Sequence, residues 1–178
     1  MQNIDLRRAL SLAINREMLE GKIVKGEAIP GHACAGGFDP VSKGPQIAEA
    51  SLTQDEREAM AKQLYAKAGY SADKPLKINI VFTVSEDATR RAQGVALMWK
   101  KLLRVQAEML PMERKAWLDA FYAGGWDVFS DDLVGDFAEP ETFPAYMRPT
   151  AGPGYNRVKP DHDAVMDAAG KIADPAKR

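Results

Sequence analysis

The chain has 178 residues, 46% of them apolar and 28% charged, with a formal net charge of −1. That length and composition place it with ordinary folded domains, exclude an intrinsically disordered chain, and supply no global field for nucleic acid or an anionic membrane. A single cysteine, Cys34, excludes an internal disulfide, and no apolar run approaches the roughly 20 residues a membrane helix needs.

The N-terminus, MQNIDLRRAL, contains no apolar signal core. Asp5 is placed to cap a helix from Leu6, with Leu6, Ala9, Leu10, Ala13 and Ile14 on one face and Arg7, Arg8 and Ser11 largely off it. Asn15 offers a second cap, for a short helix over residues 16–24 that stops at Gly26. Residues 27–52 read as a long irregular loop, punctuated by Gly31, Gly36, Gly37, Gly44, Pro30, Pro40 and Pro45. Loops of that length ordinarily bind something or cover a surface. His32 and Cys34 lie two residues apart in it, but a metal site needs more ligands than the neighbourhood offers, so a surface loop is the reading.

Thr53-Gln54-Asp55-Glu56 has the spacing of a capping box. The helix it opens runs through Met60, Ala61, Leu64 and Ala68 and stops at Gly69. Leu76, Ile78, Ile80, Phe82 and Val84 alternate with Lys77, Asn79 and Thr83, which predicts a strand. Ser85 caps a long helix whose buried stripe is Ala92, Val95, Ala96, Trp99, Leu102 and Leu103. A second strand covers 105–110. A helix over 113–123 carries Trp117, Ala120 and Phe121 inward and ends at Gly124-Gly125. A third strand covers 126–130. The fold class is therefore α/β, with a β-α-β-α-β core flanked by helices, and right-handed crossovers make the three strands parallel. Trp99, Trp117 and Phe121 sit on helix stripes and read as core, not as a stacking platform.

The third strand runs into an acidic stretch holding Asp127, Asp131, Asp132, Asp136, Glu139 and Glu141, with no Lys or Arg before Arg148. In α/β folds ligands lie outside the carboxyl ends of strands, so this stretch points to a positively charged ligand. Pro140 fits the first turn of a following helix, and after a turn-rich loop over 149–156 a last helix starts near Pro160 with Val165, Met166, Ala169 and Ile172 as its apolar positions.

Four segments carry a resemblance. They are LRRALSLAINRE at Leu6–Glu17, LYAKAGY at Leu64–Tyr70, and Asp136-Phe137-Ala138-Glu139-Pro140-Glu141-Thr142-Phe143, followed by Tyr155-Asn156-Arg157-Val158-Lys159-Pro160-Asp161. Together they resemble the C-terminal lobe of the bacterial extracellular solute-binding proteins of family 5, the peptide-binding components of ABC importers. The resemblance implies a mixed sheet in one lobe of a type II periplasmic binding protein, a single lobe over residues 1–178 that lacks the N-terminal lobe and the export signal. It implies no catalysis, no cofactor and no metal. It implies a peptide or other small cationic ligand held between two lobes, delivery to ABC permease subunits, and a periplasmic or membrane-anchored extracytoplasmic location for the full-length protein. In the family an aspartate at the position of Asp136 pairs with the peptide α-ammonium; Phe137, Leu133 and Asp132 are the accompanying candidate ligand residues. Leu133 stands where the family usually has tryptophan.

Two other classes are compatible with the residues. Asp132 and Asp136 would be the paired carboxylates of a glycosidase-like hydrolase, against which no nucleophile–base pair, G-x-x-x-x-G-K or G-x-G-x-x-G is present. A lone interaction or scaffold fragment, with no ligand of its own, is the other.

Overall fold

Asn3, where the sequence pointed to Asp5, opens the first helix. The computed structural model describes residues 1–25, 30–31, 48–134, 142–146, 148, 160–172 and 174. In it α1 (Ile4–Leu12) begins two residues earlier than the Asp5 cap would allow, with the Asn3 side chain accepting from Leu6 N at 3.1 Å. Asparagine caps as well as aspartate. Asp5 is thereby left inside the first turn, where it favours the helix dipole and pairs with Lys67 at 2.9 Å.

Asn15 caps the next helix as expected, accepting from Met18 N at 2.8 Å. That helix, α2 (Arg16–Met18), widens at once into a π-helix over Leu19–Val24, and Lys25 in the left-handed region ends it. Gly26, the expected stop, lies outside the described residues. The wide turn has a packing reason. On an ordinary helix Leu19 and Val24 would point roughly 140° apart; the i→i+5 winding brings both to one side, and both are buried. The surface that receives this helix is α4 (Glu86–Leu103) at Gly94, where a β-carbon would stand 2.7 Å from Leu19 Cδ1 and 3.2 Å from Ile23 Cδ1.

Of the long connection over 27–52, its end is described, a 3-10 turn at Ala48–Ser51. Glu49 in that turn accepts from Arg8 of α1. Next comes α3 (Gln54–Lys67), with the capping box formed in both directions. Arg57 of α3 is buried, and its guanidinium is occupied by Leu52 O and the Gln54 side chain.

Three parallel strands follow: β1 (Lys77–Thr83), β2 (Gln106–Met112) and β3 (Val128–Phe129), in the order β2-β1-β3. The crossovers are α4 and α5 (Arg114–Ala123). The mixed sheet implied by the resemblance would need an antiparallel strand, and none occurs among the described residues. Ile78, Ile80 and Phe82 face a core shared with Leu6, Ala9, Leu10, Ala61, Tyr65 and Trp99. Val81, on the face it shares with Lys77, Asn79 and Thr83, is buried as well. It is paired with Phe129, and Trp117 stacks on that ring at 4.7 Å. Val84 lies one residue past the strand and is exposed.

The chain divides into two units. The first comprises Met1–His32, Ile47–Ala120 and Gly125–Asp131; the second comprises Ala33–Gln46, Phe121–Gly124 and Asp132–Arg178. Within the second lie α6 (Thr142–Ala145) and α7 (Pro160–Ala169). Arg148 there pairs with Asp167 and, at 3.9 Å, with Asp163 of α7. The apolar positions read on the last helix are not a buried stripe. Val165 is 68% exposed and Ile172 lies beyond the helix end.

Candidate ligand-binding site

Side chains tie the start of β1 and both ends of β3. The Tyr65 hydroxyl accepts from Leu76 N at 2.8 Å, just ahead of β1. Its ring stacks on Tyr70 at 5.4 Å, and burial pushes its pKa up. The Leu64–Tyr70 segment thus joins α3 to β1. Trp99 of α4 donates its Nε1–H to Leu10 O of α1 at 2.8 Å, fixing helix to helix across the core. Arg16 turns back onto Ser11 O, Ser11 Oγ and Ile14 O, and burial followed by the nearby Arg57 lowers its pKa. These bonds give the Leu6–Glu17 segment a folding role.

The order β2-β1-β3 makes the connection from β1 go one way and the connection into β3 return across it. The carboxyl ends of β1 and β3 are therefore a topological switch point, the place where α/β sheets hold ligands. From the β1 end, Ser85 caps α4 by accepting from Ala88 N at 3.2 Å. From the β3 end, Ser130 N donates to Val81 O at 2.8 Å, and Trp117 Nε1 donates to Ser130 O at 3.3 Å. Asp131 follows in the first unit, and Asp132 begins the second.

Asp131 and Asp132 are exposed, as are Leu133 (41%) and Val134 (79%). In the second unit Tyr146 donates its hydroxyl to Val134 O at 3.3 Å. Asp136 and Phe137, with Glu139, Pro140 and Glu141, lie outside the described residues. So do His32 and Cys34. Among the described residues no group of three His, Cys, Asp or Glu side chains is placed to hold a metal.

Asp127 leaves the acidic group. The sequence counted it there, but it precedes β3, at the opposite end of that strand from Asp131. Its carboxylate accepts from Asn79 N at 3.0 Å, while its own N–H donates to Asn79 Oδ1 at 2.9 Å. Both residues border a groove of about 1050 Å³ along β2 and α4, with Lys77, Lys100, Arg104 and Glu108. The groove mixes charges of both signs and does not include the acidic loop.

A parallel three-stranded sheet with this order and helical crossovers is an α/β fold with a switch point at the carboxyl ends of β1 and β3, and solved periplasmic binding proteins share it. The sequence pattern of the bacterial extracellular solute-binding proteins, family 5 Middle, matches residues 1–155. The periplasmic murein peptide-binding protein MppA of Escherichia coli K12 is 34% identical over 169 residues, 92% of this chain and 31% of MppA. The periplasmic oligopeptide-binding protein OppA of the same organism is 29% identical over 177 residues, 99% of this chain and 33% of OppA. The crystal structure of Haemophilus influenzae OppA in complex with RPPGFSPFR shares the fold at a TM-score of 0.87, with 23% identity over 97% of this chain and 34% of that one. The chain belongs to the bacterial extracellular solute-binding proteins of family 5. It spans about a third of the length of the curated relatives it matches.

Proposed function

We propose that the chain is part of the substrate-binding component of an ABC importer, supplying one wall of a cleft that holds a peptide and passes it to membrane permease subunits. The observation that carries this reading is the family match over residues 1–155 together with a relative named for murein peptide binding. The relatives are named as binding proteins and not as enzymes, and the periplasm is where they act. Among the described residues no helix is long and apolar enough to cross a membrane.

In this reading Asp136 pairs with the peptide α-ammonium, because a buried unpaired charge costs several kcal/mol whatever the peptide's side chains are. Phe137, Leu133 and Asp132 lie beside the bound peptide. Main-chain hydrogen bonds hold the rest of it, which leaves the sequence loosely specified. The facing wall comes from the remainder of the relatives' length. A ligand pocket ordinarily buries about 70–90% of its ligand, so this chain by itself binds peptides more weakly than micromolar.

The test is a native mass spectrum of the full-length parent, purified gently from its own host. A ladder of bound masses spaced by amino-acid residues supports the reading and gives the length range. A single non-peptide mass keeps the family and replaces the ligand. An empty protein that also ignores added peptides removes the assignment of Asp136.

A further inference from the structure

We infer that Asn79 and Asp127 form a positioning pair that sets the frame of β3, and with it the point at which the acidic loop leaves the sheet. The dependence of ligand affinity on this pair rests on the proposed function; the structural half does not.

The argument starts from the ladder. In a parallel strand the N–H and C=O of one residue point to the same neighbour. Leu76 O of the β1 segment accepts from Gln106 N, so the even residues face β2; Val81 O accepts from Ser130 N, so the odd residues face β3. Asn79 is therefore the next residue along the β3 edge. A longer β3 would offer its N–H a main-chain carbonyl. Here β3 is two residues long, and the Asp127 carboxylate takes that N–H while the Asn79 side chain takes the N–H of Asp127. Two side chains extend a ladder that the backbone has abandoned.

The reason a clamp is needed lies just upstream. Gly124 and Gly125 both have positive φ, 73° and 86°, so the chain swings toward the sheet through two residues that impose little direction. Downstream, the Phe129 ring sits against Trp117 at 4.7 Å and Trp126 at 5.1 Å, and Ser130 is held at both its N–H and its carbonyl. With the clamp in place β3 is fixed at both ends. Without it, the amino end keeps only the short main-chain pairing of Val128 and Phe129 with Ile80 and Val81, and a one-residue slip turns every side chain to the other face. Asp127 lies four residues before Asp131, roughly 13 Å of extended chain. Its effect on the loop is thus through β3 and not through the ligand. Acceptance needs a side-chain oxygen and no charge, so asparagine at 127 preserves the geometry.

The experiment uses the full-length parent with Asp127→Ala, Asp127→Asn and Asn79→Ala. Binding of RPPGFSPFR and of trialanine is measured by calorimetry, and amide exchange across β3 by mass spectrometry. Asp127→Ala is expected to weaken binding about ten-fold and to speed exchange at residues 128–131 while the β1–β2 amides hold. Asp127→Asn is expected to match wild type in both. Each alanine removes one of the two bonds, and Asn79→Ala, which serves if Asp127→Ala does not fold, is expected to weaken binding by a similar factor, about three- to ten-fold, with the same local exchange change. Affinity within two-fold of wild type with unchanged exchange overturns the inference, as does an Asp127→Asn protein as weak as Asp127→Ala. If wild type binds neither peptide, the functional reading fails and the exchange measurement alone decides whether the clamp exists.

Discussion

The two units use their apolar residues differently. In the first, Leu6, Ala9, Leu10, Ile78, Ile80, Phe82 and Trp99 close on one another around β1. In the second, Phe121 and Thr142 are the buried side chains among the described residues, while Leu133, Val134, Val165 and Ile172 are exposed. A single exposed apolar residue needs no explanation. Leu133 and Val134 are adjacent, beside two exposed carboxylates. The lesson concerns the family-like segments. Those of the first unit, Leu6–Glu17 and Leu64–Tyr70, are accounted for by folding, since each residue type has a packing or bonding partner. Of the segment following Asp132, the described residues combine a buried Thr142 and a Tyr146 hydroxyl bonded to Val134 O with the exposed pair Leu133 and Val134.

The sharpest way to test that contrast is to damage each side and read stability and binding together. Trp99→Ala removes a buried indole and its bond to Leu10 O. It is expected to cost about 4 kcal/mol in a denaturant melt. A cost below about 2 kcal/mol would mean that the helix–sheet core repacks, contrary to its interlocked bonds.

Asp136→Ala in the full-length parent is expected to do the reverse. Affinity for peptides with a free amine falls by roughly 100-fold, about 3 kcal/mol for a stranded charge. Affinity for the same peptides N-acetylated changes little, and the melt does not move. Equal losses for both peptide forms would take the α-ammonium away from Asp136.

Gly94→Val tests the seat of the π-helix. Valine would place its β-carbon 2.7 Å from Leu19 Cδ1, and its methyl groups would crowd Ile23 further. Overpacking of this kind costs about 2 kcal/mol and shifts a buried turn. A neutral substitution would show that the π turn can rewind, and circular dichroism of the variant would then gain α-helical signal.

How legible all this was in the sequence varies by residue. The strand alternation at Ile78, Ile80 and Phe82, the capping box at Thr53 and the αβ alternation follow from local periodicity and local caps, which a sequence displays directly. The π-helix does not, because its cause, Gly94, lies 70 residues away from Val24. Nor does the role of Asp127. Its carboxylate sits in a run of acidic residues and looks like one more of them, and the signal separating it was an asparagine in the third position of a strand 48 residues earlier. Asn3 and Asp5 are both good caps two residues apart, and local sequence does not choose between them. The candidate site was legible only as a place, the carboxyl end of the last strand, since topology points to where an α/β sheet would hold a ligand and not to which one.

Glu49 offers a pH test of the first unit. The hydrogen bond from Arg8, then main-chain bonding, holds its carboxyl below the usual carboxylate range against the effect of burial. The folded state therefore binds the proton less readily than the unfolded one. Stability from this pair is complete above the ordinary carboxylate pKa and is lost as pH falls through the folded value. The Arg8 side chain is 48% exposed, so solvent screening limits the contribution to about 1 kcal/mol. Glu49→Gln is expected to be less stable than wild type by that amount at pH 7, with the gap closing toward pH 3. A gap independent of pH would assign the effect to packing of the 3-10 turn.

The smallest effect has the opposite sign. Arg104 follows α4 in the left-handed region, φ 63°, where the helix ends with Arg104 N bonded to Lys100 O and Val105 N to Trp99 O. This termination ordinarily uses glycine, because any β-carbon strains the left-handed conformation. Val105 is buried immediately afterwards, so the turn cannot open to relieve the strain without exposing it. Arg104→Gly removes the β-carbon but gives the unfolded chain more freedom, and the two partly cancel. A net gain of about 0.5 kcal/mol is expected in the melting curve. A loss instead would mean that the guanidinium, on the rim of the groove with Lys77 and Lys100, makes a contact worth more than the strain. Arg104→Asn decides between the two, since asparagine tolerates the left-handed turn yet lacks the guanidinium.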